Sequence, residues 1–133
     1  MRQPLKVFLG GTCNGSLWRQ KLIPLLRPGV DYFDPVVPNW TPACQDEEIR
    51  QRESADIVLY VITPKMAGFY SIAEVVEDSI KRPNNTVMVS LPVDDGGEEF
   101  SQAQLKSLRA VERLVARNGG MVFDSLESLA KAL

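Results

Sequence analysis

The chain of 133 residues is long enough for one domain with a substantial core, and its 44% apolar and 24% charged shares exclude a disordered polymer. A formal charge of −2 with no long basic run argues against nucleic acid or an anionic membrane as the main partner. The absence of histidine excludes a His-based triad, an imidazole proton shuttle and a His-rich zinc site, leaving carboxylates, hydroxyls, lysine or thiol to carry any acid–base or nucleophilic chemistry.

Leu5–Leu9 (LKVFL) reads as a buried strand, followed by a turn at Gly10-Gly11 and a helix from about Ser16 to Leu26. Pro28-Gly29 ends that helix, Val30–Phe33 forms a short second strand, and Asp34-Pro35 closes it. Thr41-Pro42 has the form of an N-cap followed by the first helical position, and the helix continues through CQDEEIRQRESA. Asp56–Ile62 (DIVLYVI) is a continuous aliphatic run of the kind buried on both faces of a parallel sheet. A loop at Thr63–Phe69 leads to a helix at Ser71–Ile80, and Thr86–Leu91 makes a fourth strand. After the acidic loop Pro92–Glu98 come a helix at Ser101–Arg117, the Asn118-Gly119-Gly120 stop, a fifth strand at MVF and a closing helix at Ser125–Ala132.

Five alternations of strand and helix with short connections predict a single α/β domain. Its fold is a doubly wound, flavodoxin-like, five-stranded parallel sheet in the order 2-1-3-4-5. No run is long enough for a transmembrane helix, and Val7–Leu9 is too short for a signal peptide. Two cysteines, Cys13 and Cys44, are too few for a disulfide framework and read as reduced thiols of a cytoplasmic protein. Cys13 is either a small loop filler or a nucleophile.

Ligands of such sheets bind at the carboxyl ends of the strands where the strand order reverses, here between the first and third strands. The loops meeting there are GGTCNGS and TPKMAGFYS. Gly10 and Gly11 allow close approach to the main chain, whether by a ligand or simply within a tight turn. Neither GxGxxG nor GK[ST] is present, so no dinucleotide fingerprint or P-loop is claimed. Trp18 is a core anchor or a base-stacking platform, and Trp40 lies in the second-strand loop at the expected ligand edge. Arg19 is suited to a phosphate or to a structural ion pair. Glu74 has two readings: Ser71-Ile-Ala-Glu74 fits a capping box, as do Ser101-Gln-Ala-Gln104 and Asp124-Ser-Leu-Glu127, while a carboxylate in the first turn after the switch-point strand is placed for nucleophilic catalysis.

The segments GGTCNGSLWR, YFDPVVPNW and ADIVLYVITPKMAGFYSIAEVVEDS resemble the nucleoside 2-deoxyribosyltransferase-like family, over about residues 5–91. The resemblance implies dimers or larger homo-oligomers and a glutamate that attacks C1′, releases the base and forms a glycosyl ester. On that basis Glu74 is the nucleophile, Asp56 acts at the base side, and Gly10 accommodates the sugar; from its position alone, Asp56 also reads as a helix-to-strand connector exposed at the opposite end of the sheet. Two departures stand out: Phe8 replaces an orienting tyrosine, with Tyr70 as a possible substitute, and Gly68 replaces a second aspartate. The remaining candidate contacts with a nucleoside or nucleotide are Gly11, Thr12, Asn14, Trp18, Asp34, Trp40, Gly68 and Ser71. Cleavage of an N-glycosidic bond passes through an oxocarbenium-like state that an anionic carboxylate stabilises, a chemistry that calls for neither metal nor cofactor. A nucleotide-binding module of weak activity is the other reading. A phosphorelay receiver is discarded because Thr63 stands where its aspartate belongs, and a flavin carrier would rely on Trp40 and Tyr70 to flank the ring.

Overall fold

The computed structural model describes residues 5–13 and 15–133. Strands β1 (Leu5–Gly11), β2 (Val30–Phe33), β3 (Ile57–Ile62), β4 (Thr86–Ser90) and β5 (Met121–Phe123) pair in parallel in the order β2-β1-β3-β4-β5. The helices are α1 (Trp18–Leu22), α2 (Pro42–Ser54), α3 (Tyr70–Lys81), α4 (Gln102–Arg117) and α5 (Leu126–Ala132). This is the flavodoxin-like arrangement expected from the alternation of the sequence. Among the described residues no helix is long and apolar enough to cross a membrane.

The core follows from the two-residue period of a strand, which sends successive side chains to opposite faces. On one face Val7, Leu9, Ile57, Leu59, Val61, Val87 and Val89 pack with Trp18, Leu22, Leu126 and Leu129. On the other, Phe8, Val58, Tyr60, Ile62 and Met88 pack with Val75, Leu108 and Val115. Both faces of β3 are therefore covered, and all six of its residues are buried. Each fully buried aliphatic side chain contributes roughly 1.5–3 kcal/mol, so β3, with its neighbours β1 and β4, forms the apolar centre of the sheet.

Several boundaries differ from those read in the sequence, each for a local reason. The predicted first helix is an α-helix only to Leu22 and continues as a 3-10 turn at Ile23–Leu25, because Pro24 has no N–H for the helical ladder. The glycine pair is the end of β1 rather than a turn after it: Gly10 pairs with Tyr60 and Gly11 with Val61. Gly11 has φ +115°, and a Cβ there would overlap the Val61 carbonyl oxygen and lie 2.6 Å from the Val61 nitrogen. The neighbouring strand itself thus excludes any side chain at Gly11. Helix starts follow the caps where these form. Thr41 caps α2 by accepting from the Cys44 N–H at 3.3 Å, and Ser101 with Gln104 completes a capping box on α4. At α5 the cap is Ser125, accepting from Ser128 N–H at 3.0 Å, not the predicted Asp124–Glu127 pair.

Candidate active site

At the carboxyl edge of the sheet, an open crevice of about 160 Å³ separates Gly11, Thr12 and Cys13 from Met66, Ala67, Gly68, Tyr70 and Ser71. Its β1 wall is held from behind. The Trp18 indole N–H donates to the Thr12 carbonyl at 2.9 Å, and the Arg19 guanidinium donates to the carbonyls of Leu9 (2.9 and 3.1 Å) and Thr12 (2.8 Å). The Thr12 hydroxyl accepts from the Thr63 N–H at 2.9 Å, tying the two loops across the strand ends. A crevice thus lies at the predicted switch point, and its β1 wall is braced by hydrogen bonds.

That bracing decides between the alternatives for Trp18 and Arg19. Trp18 is 1% exposed with its N–H already bonded, so it is a core anchor and offers no face to a ligand, contrary to its place among the candidate contacts. Arg19 is 4% exposed, lies 4.3 Å over the Trp18 ring and pairs with Asp34 at 3.4 Å. Burial pulls its pKa down, opposed by Cys13 and Asp34, and its donors are committed to backbone carbonyls rather than to a phosphate. Asp34 also accepts from the Val36 N–H at 2.9 Å, which fixes the turn after β2. Trp40 stands exposed on the following loop, outside the crevice walls, and Asn14 lies outside the described residues.

Glu74 occupies a different environment from either reading of the sequence. Helix α3 begins at Tyr70, with Phe69 at its cap position and no side-chain capping bond, so the Ser71–Glu74 capping box does not form. Glu74 is the fifth residue of the helix rather than part of its first turn, beyond the reach of the terminal partial charge. It faces α2 instead, in a cleft of about 70 Å³ lined by Gln45, Glu48, Ile49, Arg52, Tyr70 and Glu74. Its Oε2 lies 3.3 Å from the Arg52 Nη1. Burial raises its pKa to about 7; Arg52 opposes the rise, while Glu48, Asp78 and Glu77 add to it. The helix terminus was expected to favour the anion, but burial dominates and places this carboxyl at its titration midpoint near neutrality. Tyr70 lines both the cleft and the crevice, so the two are neighbours on either side of this side chain; Glu74 lines the cleft and is not among the residues of the crevice wall.

Four further groups gather around Glu74 that sequence reasoning missed. Glu48 lines the same cleft, and burial raises its pKa against the pull of Arg52 and Arg19. Arg52 reaches from α2 to Asp78, a fully buried carboxylate one helical turn beyond Glu74. Tyr60, buried in β3, donates its hydroxyl to Asp78 at 2.6 Å. The Tyr60 ring explains Gly10, where an added Cβ would lie 2.9 Å from its Cε1. A tell-tale signal was present: Asp78 falls between Val75 and Ser79 on the inward stripe of α3, where an acid needs a partner.

Asp56 is not brought to this site. It precedes β3 at the amino edge of the sheet, accepting from the Lys6 N–H at 2.8 Å, and its carbonyl accepts from Asn85 at 2.7 Å. The six residues of β3 separate it from the crevice, roughly 20 Å of strand. It locks the amino ends of β1 and β3 together, and Glu48 is the acid that accompanies Glu74. No curated protein matches the chain. The family described as nucleoside 2-deoxyribosyltransferase like matches residues 4–92, covering all the walls of the crevice and cleft. With that match over the greater part of its length, the chain belongs to the nucleoside 2-deoxyribosyltransferase-like family.

Proposed function

We propose that the protein cleaves or transfers the N-glycosidic bond of a nucleoside or nucleotide, with Glu74 as the nucleophile at C1′. The observation that carries this reading is the placement of a largely buried carboxyl, with its pKa raised to about 7, in a cleft that shares Tyr70 with the neighbouring switch-point crevice. Family membership agrees with it. The Glu74 oxygen forms a bond to C1′ as the C1′–N bond breaks, and the departing electron pair stays on the base nitrogen. Glu48, raised by burial and sharing the cleft, delivers a proton to that base. Water or a second base then attacks C1′, gives its proton to the Glu48 carboxylate and frees the Glu74 carboxylate. Gly68 and Ser71 leave room for the sugar along the crevice wall, and Tyr70 covers the junction.

The alternative, a nucleotide-binding module of weak activity, draws on Phe8: it is buried, stacks on Phe33 at 5.9 Å and supplies no hydroxyl to the site. Incubation with deoxynucleosides, ribonucleosides and their 5′-phosphates, followed by chromatography for free base, separates the two. Base release that Glu74→Gln abolishes supports the enzyme; tight binding without release supports the module. We further propose a homodimer or larger homo-oligomer, with exposed Phe69 and Tyr70 at the crevice rim as the apolar contribution. Light scattering at several concentrations tests this, and a monomer throughout refutes it.

A further inference from the structure

The side chains behind Glu74 form a chain of contacts that the reaction alone does not require. The Arg52 guanidinium grips Asp78 with two of its nitrogens, Nε at 2.9 Å and Nη2 at 3.1 Å, and presents the third, Nη1, to Glu74 at 3.3 Å. Asp78 is fully buried; it also accepts from the Tyr60 hydroxyl at 2.6 Å and forms an ion pair with Arg82 at 3.3 Å. Arg82 also donates to the Arg52 carbonyl at 2.9 Å, so the backbone of α2 is fastened at the same point. A planar guanidinium held along one edge has its remaining nitrogen fixed in direction. We infer that Arg52 is a positioning residue that, anchored by Asp78 and Tyr60, aims the Glu74 carboxylate and holds it as an anion.

This inference rests on the proposed role of Glu74. Fold stability alone accounts poorly for the arrangement. Asp78 already has Arg82 and Tyr60 as partners, and a buried ion pair seldom stabilises more than an apolar pair of the same volume. Accommodating Tyr60 also obliges β1 to carry glycine at Gly10. Electrostatics give Arg52 a defined task. Glu74 is faced by Glu48 from α2, by Glu77 and Asp78 from its own helix and by the neutral Tyr60 from β3, and Arg52 is the cation that opposes its rise. Burial works against the charge of Arg52 itself, yet its bond to Asp78 and the surrounding acids keep its pKa above the ordinary arginine value. It stays charged throughout the range in which Glu74 titrates.

The consequence is measurable without any substrate. With the side-chain carboxyls labelled with 13C, and the Glu74 signal assigned by its loss in Glu74→Gln, Arg52→Gln moves the Glu74 midpoint upward by about 1–3 pH units, the range an adjacent opposite charge exerts. At pH 7 the ionised share then falls from about one half to between about a tenth and a thousandth, and base release falls with it, roughly 5-fold or more, recovering as pH is raised. Arg52→Lys, which keeps the charge without the fork, restores most of the midpoint but only part of the rate. Asp78→Asn moves the midpoint the opposite way, because it removes an anion and frees Arg52 for Glu74. A merely structural role predicts loss of rate at every pH and no such reversal of sign. If wild-type protein releases no base from any nucleoside, the proposed function fails while the titration still decides this inference. If base is released and Arg52→Gln leaves both midpoint and pH profile in place, the inference fails alone. Should the buried Asp78 variant not fold, the two Arg52 variants decide the question between them.

Discussion

Replacing Glu74 by glutamine should stabilise the protein, and only above a certain pH. Its carboxyl has a pKa of about 7 in the folded chain against an ordinary value of 4.5, with burial as the main cause. At about 1.36 kcal/mol per unit, that difference amounts to roughly 3 kcal/mol. The sign follows from which state holds the proton. Below 4.5 the carboxyl is protonated in both states and the contribution to stability is fully present; it is lost as pH rises through 7, where folding must keep a desolvated anion. Glutamine carries no such dependence. Because its amide is still buried and Arg52 loses one counter-charge, a gain of about 1–2 kcal/mol at pH 8 is expected, or roughly 4–8 °C in Tm for a domain of this size. Thermal unfolding of both proteins between pH 4.5 and 9 measures it, since groups that do not interact with Glu74 cancel in the difference. A gap that does not widen with pH, or a variant less stable than wild type at pH 8, refutes the reasoning.

Other consequences concern the walls of the site. Gly11→Ala should cost more than about 3 kcal/mol, since the residue must abandon its positive φ and still overlap the Val61 backbone; Gly10→Ala has no positive φ to abandon and meets the edge of the Tyr60 ring and the Leu59 carbonyl oxygen at 2.9–3.0 Å, so it should cost less in the same denaturant titration. Glu48→Gln should slow release of poor leaving bases by about 10²–10⁴-fold and spare activated ones such as a nitrophenyl leaving group; an equal loss for both would remove Glu48 as proton donor. Arg19→Lys should lose about 1.5–3 kcal/mol, because an ammonium cannot serve the carbonyls of Leu9 and Thr12 together, and should leave any discrimination for a 5′-phosphate unchanged.

Much of the architecture was legible in the sequence because it rests on local pattern. DIVLYVI could only be a strand covered on both faces, and Thr41-Pro42 and Ser101-Gln104 start helices through bonds within one turn. The switch-point crevice followed from topology. What escaped was what tertiary contact decides. Gly10 and Gly11 read as a turn, because the approach of Val61 and Tyr60 from a strand fifty residues away leaves no mark near them. Of the two readings of Glu74, the capping box fails because α3 starts at Tyr70, ahead of Ser71, and the carboxylate lies against Arg52 from α2. Asp56 was drawn to the site by the family resemblance, while its place at the head of β3 pointed to the connector it is; Glu48 sat in the charged run QDEEIRQRES, where nothing local distinguishes an acid facing α3 from one facing water.

The measurement closest to the central claim is a search for the sugar on the enzyme. With a 2′-fluorinated nucleoside, whose electron-poor ring slows departure of the ester, intact mass should rise by one fluorodeoxyribosyl group, and peptide mapping should place it on Glu74. Glu74→Gln should acquire no mass and release no base. Base release by that variant, or by wild type with the sugar on any other residue, would contradict the account.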